Sequence, residues 1–579
     1  MNKPTPAIVA QNAVRRLPRV ALLLLCAAYV LPGMVGRGPW KSADLVSFGY
    51  MAELAHGGGG LQRWFDPLLM GLQPETPALI PYWIGAWAIQ LAPSWLSPDL
   101  AVRIVFGLML WGTFTATWYA VYYLARTPRA QPVAFAFGGE ARPTDYARAI
   151  ADGALLALIA TLGLAQLAHE TTPALAQLFF VTHLFYGVAA LPYRRVGAFV
   201  ALAVGALGMT LSGGAAVGFF LGIGCVVILA AERRRQGEAQ ADDAEPGYRP
   251  MAIAAVLGTT LVALLLALLL GLLQWRIALP PGTRAIDEAR SQARLLLWFS
   301  WPALPLALWT LWRWRRQLTA RHVALPLWFG LIPLLATWFT TFSERSLLLA
   351  LPPFATLAAF ALPTLRRSVS ALIDWFTLLF FSGMAIAIWV IWVAMMTGVP
   401  PKPAANVAKL APGFEPHFSA IAFVFALVAT LAWAWLVRWR TGRHRAALWK
   451  TLVLPAGGVA LCWMLLMTLW LPLLDYARSY TPQVRAISAA VGTEPGCISA
   501  LALSRPHIAA LRQDGQFDLQ PLLGGPTCRW LLVSPEAIVH LHELVNLDDW
   551  RLIGTLRRPT SPSDDLLLYQ WIVPPAPAA

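Results

Sequence analysis

Charge is what this sequence has least of. Only 13% of its 579 residues are Asp, Glu, Lys or Arg, while 58% are hydrophobic. A soluble protein of this length carries about a quarter charged residues, so that class is excluded. Cysteine is scarce too. Five residues (Cys26, Cys225, Cys462, Cys497 and Cys528) are too few for a disulfide-built scaffold, and their spacing spells no metal site. Acids and bases are missing from the midpoints of the apolar runs, where an ion-coupled transporter would place them. No small-residue cleavage site follows the first apolar run, so it reads as a retained span rather than a removed signal. The net charge is +15, but the basic residues sit in short clusters between apolar runs. Without a basic groove or stacking motif, nucleic acid is not expected as a partner.

What is present is length after length of apolar chain. Thirteen membrane spans are predicted, at 20–36, 101–125, 150–168, 173–191, 196–211, 214–231, 251–273, 294–312, 323–342, 346–363, 371–396, 418–437 and 451–473. With the N-terminus in the cytoplasm, every turn on that side carries at least two Lys or Arg. That is the positive-inside bias of a polytopic membrane protein, and it supports the count. An odd number of spans then puts the tail outside, in the periplasm if the cell is Gram-negative. The fold class expected is an all-α polytopic membrane protein over 1–475 with a small α/β domain over 476–579. In the tail, 486–491 and 536–545 read as helices; 498–503, 530–533, 551–556 and 566–573 read as strands. Cys497 and Cys528 each precede a predicted strand on the oxidising side, so a disulfide between them is expected. The other three cysteines fall inside spans and read as packing residues.

The unusual polar residues gather on the side of the tail. The stretch 37–83 holds Asp44, Glu53, His56, Asp66 and Glu75, together with Trp40, Trp64, Tyr82 and Trp83. His169 and Glu170 follow the third span, Arg276 and Arg284 the seventh, and Arg345 opens the tenth. Acids and arginines meeting at one interface suit chemistry on a substrate presented there. Arg103 and Asp374 lie near span ends.

These residues carry a resemblance. Asp44-Leu45-Val46-Ser47-Phe48-Gly49-Tyr50, Pro74-Glu75-Thr76-Pro77 with Tyr82-Trp83, His169-Glu170-Thr171-Thr172-Pro173, and Arg345 through Pro352-Pro353 together resemble motifs of the GT-C glycosyltransferases. The nearest groups are the bacterial 4-amino-4-deoxy-L-arabinose lipid A transferases and the related protein O-mannosyltransferases. Two positions depart: Leu45 stands where that pattern has Glu, and Thr76 where it has Lys. The resemblance implies a membrane glycosyltransferase with a GT-C-like fold. It would take a sugar from a polyprenyl-phosphate donor to lipid A or another lipid or glycan acceptor. Glycosyl transfer needs a carboxylate at the acceptor hydroxyl and cations at the departing phosphate. Asp44 is the first choice of catalytic acid and Glu170 the second. Arg345, then Arg276 and Arg284, are expected at the phosphate, where a planar guanidinium binds oxygens in pairs. His169, Glu75, Tyr82 and Trp83 are expected to contact substrate. No cofactor is expected, and nothing indicates a divalent metal. A flippase or transporter of lipid-linked sugars is the alternative of another class, and a non-catalytic envelope scaffold a third.

Overall fold

The computed structural model describes residues 5–57, 60–237, 250–273, 285–339, 344–442, 447–492, 496–522, 528–561 and 564–572. Each of the expected spans overlaps a helix, and 340–342 of the ninth lie outside the described residues. Among the described residues, nine helices are long and apolar enough to cross a membrane, or ten if one bent pair is a single span. Thirteen is therefore not reached by this measure, for three physical reasons. The first helix, Arg19–Val30, has only 12 residues. The third, Pro143–Ile159, stops well before position 168. The fifth and sixth join through the segment Thr210–Gly214 into one bent helical run, Val196–Arg235.

Two breaks in the bundle repair each other. Helix Pro143–Ile159 gives way at Ala160, and the pair Ala289–Phe299 and Ala303–Arg313 bends by 95° around Trp301-Pro302. Proline has no N–H to offer the helix ladder, so the chain turns there. Leu162 N donates to Trp301 O at 3.2 Å and Gly163 N to Phe299 O at 2.8 Å. Broken helices inside a membrane protein survive only where freed backbone groups find such partners. At the bundle centre, Leu351–Ala361 is buried along its whole length. Its alanines let neighbouring backbones approach closely.

The chain leaves the last long helix, Lys450–Leu469, through the short helix Leu471–Arg478. The expected boundary at 475 falls inside that short helix. Beyond it lies a five-stranded sheet: β1 Cys497–Leu501, β2 Asp518–Pro521, β3 Trp530–Val533, β4 Trp550–Leu556 and β5 Leu566–Trp571. Their order is β2-β1-β3-β5-β4, with β1 parallel to β2 and β3, and β5 antiparallel to β3 and β4. The four apolar residues of β3 are all buried, as a central strand covered on both faces requires. Cys497 and Cys528 form a disulfide with Cα atoms 5.3 Å apart, tying β1 to the approach of β3.

Candidate functional site: two buried acids joined through one threonine

The site begins at the turn after the first helix. Gly33 has φ of +84°, and a Cβ there would stand 2.6 Å from the Trp463 ring, so only glycine fits. Its carbonyl accepts from Arg37 Nε at 2.7 Å. The remaining nitrogens of Arg37 reach Gly38 O (3.3 Å), Asp44 Oδ2 (2.9 Å) and His169 O (2.6 Å). All three guanidinium nitrogens are thereby engaged. Arg103 donates to the main-chain carbonyl of Arg37 and pairs with Asp99 at 3.1 Å.

Asp44 sits in the first turn of helix Ala43–His56 and is 1% exposed. Oδ2 accepts from Arg37 and from Trp40 N at 3.2 Å. Oδ1 accepts from Thr171 N and from Thr171 Oγ1, each at 2.7 Å. Four hydrogen bonds fill the lone-pair sites of a carboxylate. Burial alone would raise its pKa. Arg37, then Arg103, then the two bonds from Thr171 outweigh burial and hold the carboxyl below its usual range.

Glu170 is the residue before Thr171 and is 3% exposed. Its Oε2 accepts from Arg345 Nε at 3.2 Å and Nη2 at 2.7 Å. Burial pushes this carboxyl up. Arg345 opposes the rise, and the negative charge of Asp44 adds to it. Two acids thus meet across a single Glu-Thr peptide, with their protonation equilibria driven in opposite directions. That separation is how acid and base roles are divided at many active sites.

The other expected residues land elsewhere. His169 is packed inside, against Trp463 at 4.6 Å and Tyr29 at 5.5 Å. Its Nε2 faces Tyr29 O at 2.9 Å, and burial pushes its pKa down to about 4. Its contribution to the cluster is a main-chain carbonyl for Arg37, not a side chain for substrate. Tyr82 is buried against Tyr50 at 5.4 Å, and Trp83 donates to Trp64 O at 2.6 Å beside Phe65. Glu75 is largely exposed and pairs with Arg505 at 3.3 Å. Among the described residues, no hydrogen bond, ion pair or ring contact joins these three to Asp44 or Glu170. Arg276 and Arg284 lie outside the described residues. Among the described residues, no three His, Cys, Asp or Glu side chains are grouped to hold a metal ion.

Sequence reasoning gave Arg37, Thr171 and Trp40 no role as partners of Asp44. Arg37 stands seven residues before the acid it holds, and no motif marks it. Sequence reasoning also missed how firmly the tail grips the first loop. Helix Arg505–Gln513 packs on helix Ala43–His56 so closely that a Cβ on Gly49 would come 2.8 Å from that of Ala509. Arg512 pairs with Glu53, and Arg505 donates to Gln73 O at 3.1 Å. Lys41 pairs with Asp564, which also accepts from Arg558 at 2.7 Å. Asp475 accepts from Gly38 N at 3.1 Å and from Trp40 Nε1 at 2.9 Å.

No family model and no curated protein matches the chain. Solved structures do. The crystal structure of ArnT from Cupriavidus metallidurans bound to undecaprenyl phosphate matches with a TM-score of 0.55 at 13% identity, over 95% of this chain and 96% of that one. The apo structure of the same protein matches with a TM-score of 0.54 at the same identity and coverage. Nearly the full length of this chain therefore has the fold of ArnT.

Proposed function

We propose that this chain is an integral membrane glycosyltransferase. It moves a sugar from a polyprenyl-phosphate carrier to lipid A or another cell-envelope acceptor, at the periplasmic face of a bacterial inner membrane. The observation that carries this reading is the pair of buried acids with opposed protonation shifts, beside arginines, in a bundle with the ArnT fold. One of the two ArnT structures holds undecaprenyl phosphate, the headgroup chemistry such a donor would leave behind.

In the reaction the bond from the anomeric carbon to the phosphate oxygen breaks, and a bond to the acceptor oxygen forms. The acceptor hydroxyl gives up a proton, and the carrier leaves as a polyprenyl phosphate. Glu170 suits the proton: its raised pKa brings it nearer the working range of a general base. Asp44 was the first choice from sequence. Its filled lone pairs fit better the task of holding Thr171, and with it Glu170, in place. Arg345 faces Glu170 and suits the departing phosphate. Guanidinium groups supply the positive charge in this scheme, so no metal is required of it. The membrane part is taken as 1–475 and the periplasmic domain as 476–579.

The test is mass spectrometry of envelope lipids and glycans from a deletion strain, joined to transfer assays with the purified chain and a polyprenyl-phosphate sugar. A lipid or glycan lacking one sugar in the deletion supports the proposal. Identical envelopes would sink it, and sugar crossing vesicles without transfer would point to a flippase instead. The saturated Asp44, with Leu45 and Thr76, favours a scaffold as the second reading. A Glu170→Gln chain that complements the deletion fully would select it.

A further inference from the structure

We propose that Arg478 is a phosphate-binding residue of this site, one that holds the anionic headgroup of a polyprenyl-phosphate lipid. The inference rests on the glycosyltransferase reading and adds a residue to it.

Arg478 ends the short helix Leu471–Arg478 that carries the chain from the last span into the sheet. Its main-chain carbonyl is fixed by Lys41 N at 2.9 Å, which ties it to the first loop. Its guanidinium carbon lies 5.4 Å from the centroid of the Trp40 ring, and that of Arg37 lies 4.3 Å from the same centroid. Glu170 and Arg37 are the charges that act on it. Arg478 is thus part of the Asp44–Glu170 cluster, though it stands more than 300 residues away in sequence by its own number.

The neighbouring cations are already engaged. Arg37 is bonded at every nitrogen. Arg103 serves Arg37 O and Asp99. Arg345 is bonded twice to Glu170, and Lys41 is paired with Asp564. Among the described residues, the Arg478 side chain has no hydrogen bond and no ion pair. A half-buried guanidinium has five N–H donors, and its contact here is with the Trp40 ring rather than with an oxygen. Those donors remain for an oxyanion, and a phosphate presents two oxygens at the spacing a guanidinium edge matches.

The experiment measures binding of undecaprenyl phosphate, undecaprenol and inorganic phosphate to the purified full chain. Wild type is expected to prefer undecaprenyl phosphate over undecaprenol. Arg478→Ala is expected to lose about tenfold or more of that preference, with Arg478→Lys between the two. Binding of undecaprenol should be the same in all three. Competition by inorganic phosphate that is present in wild type and lost in Arg478→Ala would show that the headgroup alone is held. Arg478→Gln gives the same comparison should the alanine chain fold poorly. An undiminished preference in folded Arg478→Ala and Arg478→Gln overturns the inference and leaves the glycosyltransferase reading standing. A wild type without any preference overturns both.

Discussion

Helix Arg321–Phe339 has a charged pair at its start and another just past its end, and the two are built differently. At the start, Arg321 clasps Glu232 through contacts of 3.0, 3.1 and 2.6 Å. At the same end of the bundle Arg440 pairs with Asp374. These pairs fasten the termini of neighbouring helices. Past the other end, Arg345 pairs with Glu170, and the contacts run on: Thr171 to Asp44, Asp44 to Arg37, Arg37 to His169 O and Arg103. The C-terminal region then grips the same loop through Arg512, Arg505 and Asp564. A lone pair has one protonation state to keep. A network with two acids of opposed affinity can hold a proton or pass one. The contrast separates charge used for assembly from charge available for chemistry.

The sharpest way to break that contrast is to remove one acid from each end. Asp44→Asn leaves Arg37 buried without its carboxylate, a loss of about 3–5 kcal/mol. It should also lower transfer by roughly 100-fold or more, because Glu170 loses its support. Asp44 stabilises the fold above its usual pKa of 3.8, and that share is lost as pH falls through its lower folded value. The asparagine chain should lack this acid dependence. Glu232→Gln should cost stability, about 1–3 kcal/mol, with the rate per folded molecule unchanged. Equal rate losses in the two variants, measured with melting temperatures, would erase the distinction.

Arg345→Ala comes next. Each charge-assisted hydrogen bond lost is worth roughly 1.5–3 kcal/mol, and donor affinity should fall by about tenfold or more. Arg345→Lys should recover part of it. A base works deprotonated, so transfer should rise with pH through the pKa of Glu170. That pKa already lies above the usual 4.5 and should climb further without Arg345. A pH–rate curve with an unmoved acid limb would remove Glu170 as proton acceptor.

Gly49→Ala tests whether the site end depends on the sheet. The added methyl meets Ala509, and overpacking costs about 1–3 kcal/mol. Hydrogen exchange should rise across helices Ala43–His56 and Arg505–Gln513, and Ala509→Gly should restore it. Unaltered exchange would show that the grip is loose. The smallest expected effect is that of a chelator. With arginines carrying the phosphate charge, EDTA should leave transfer unchanged; loss that magnesium restores would refute that division of labour.

Much of the bundle was legible because a long apolar run has only one stable place to go. The breaks were less so. Nothing in the apolar pattern marks the stop at Ala160, which depends on carbonyls at Phe299 and Trp301 far along the chain. Strand β2 and helix Arg505–Gln513 were missed, the first being only four residues long. At the site, Asp44 and Glu170 stood out as acids at span ends. Their partners did not, since a contact across 127 residues between Asp44 and Thr171 leaves no periodic trace. Arg37 and Arg478 stand in no motif, because sequence gives the sign of a side chain and not its direction.

The single peptide unit between Glu170 and Thr171 has a kinetic consequence. Thr171 delivers both its N–H and its hydroxyl to Asp44, while Glu170 next door receives Arg345. A ligand that draws Arg345 away would leave Glu170 buried beside the charge of Asp44, which already raises its pKa. A donor that draws Arg345 from Glu170 would raise the Glu170 pKa further and shift the acid limb of a pH–rate curve upward, so the donor would act as the clock for the acceptor's proton.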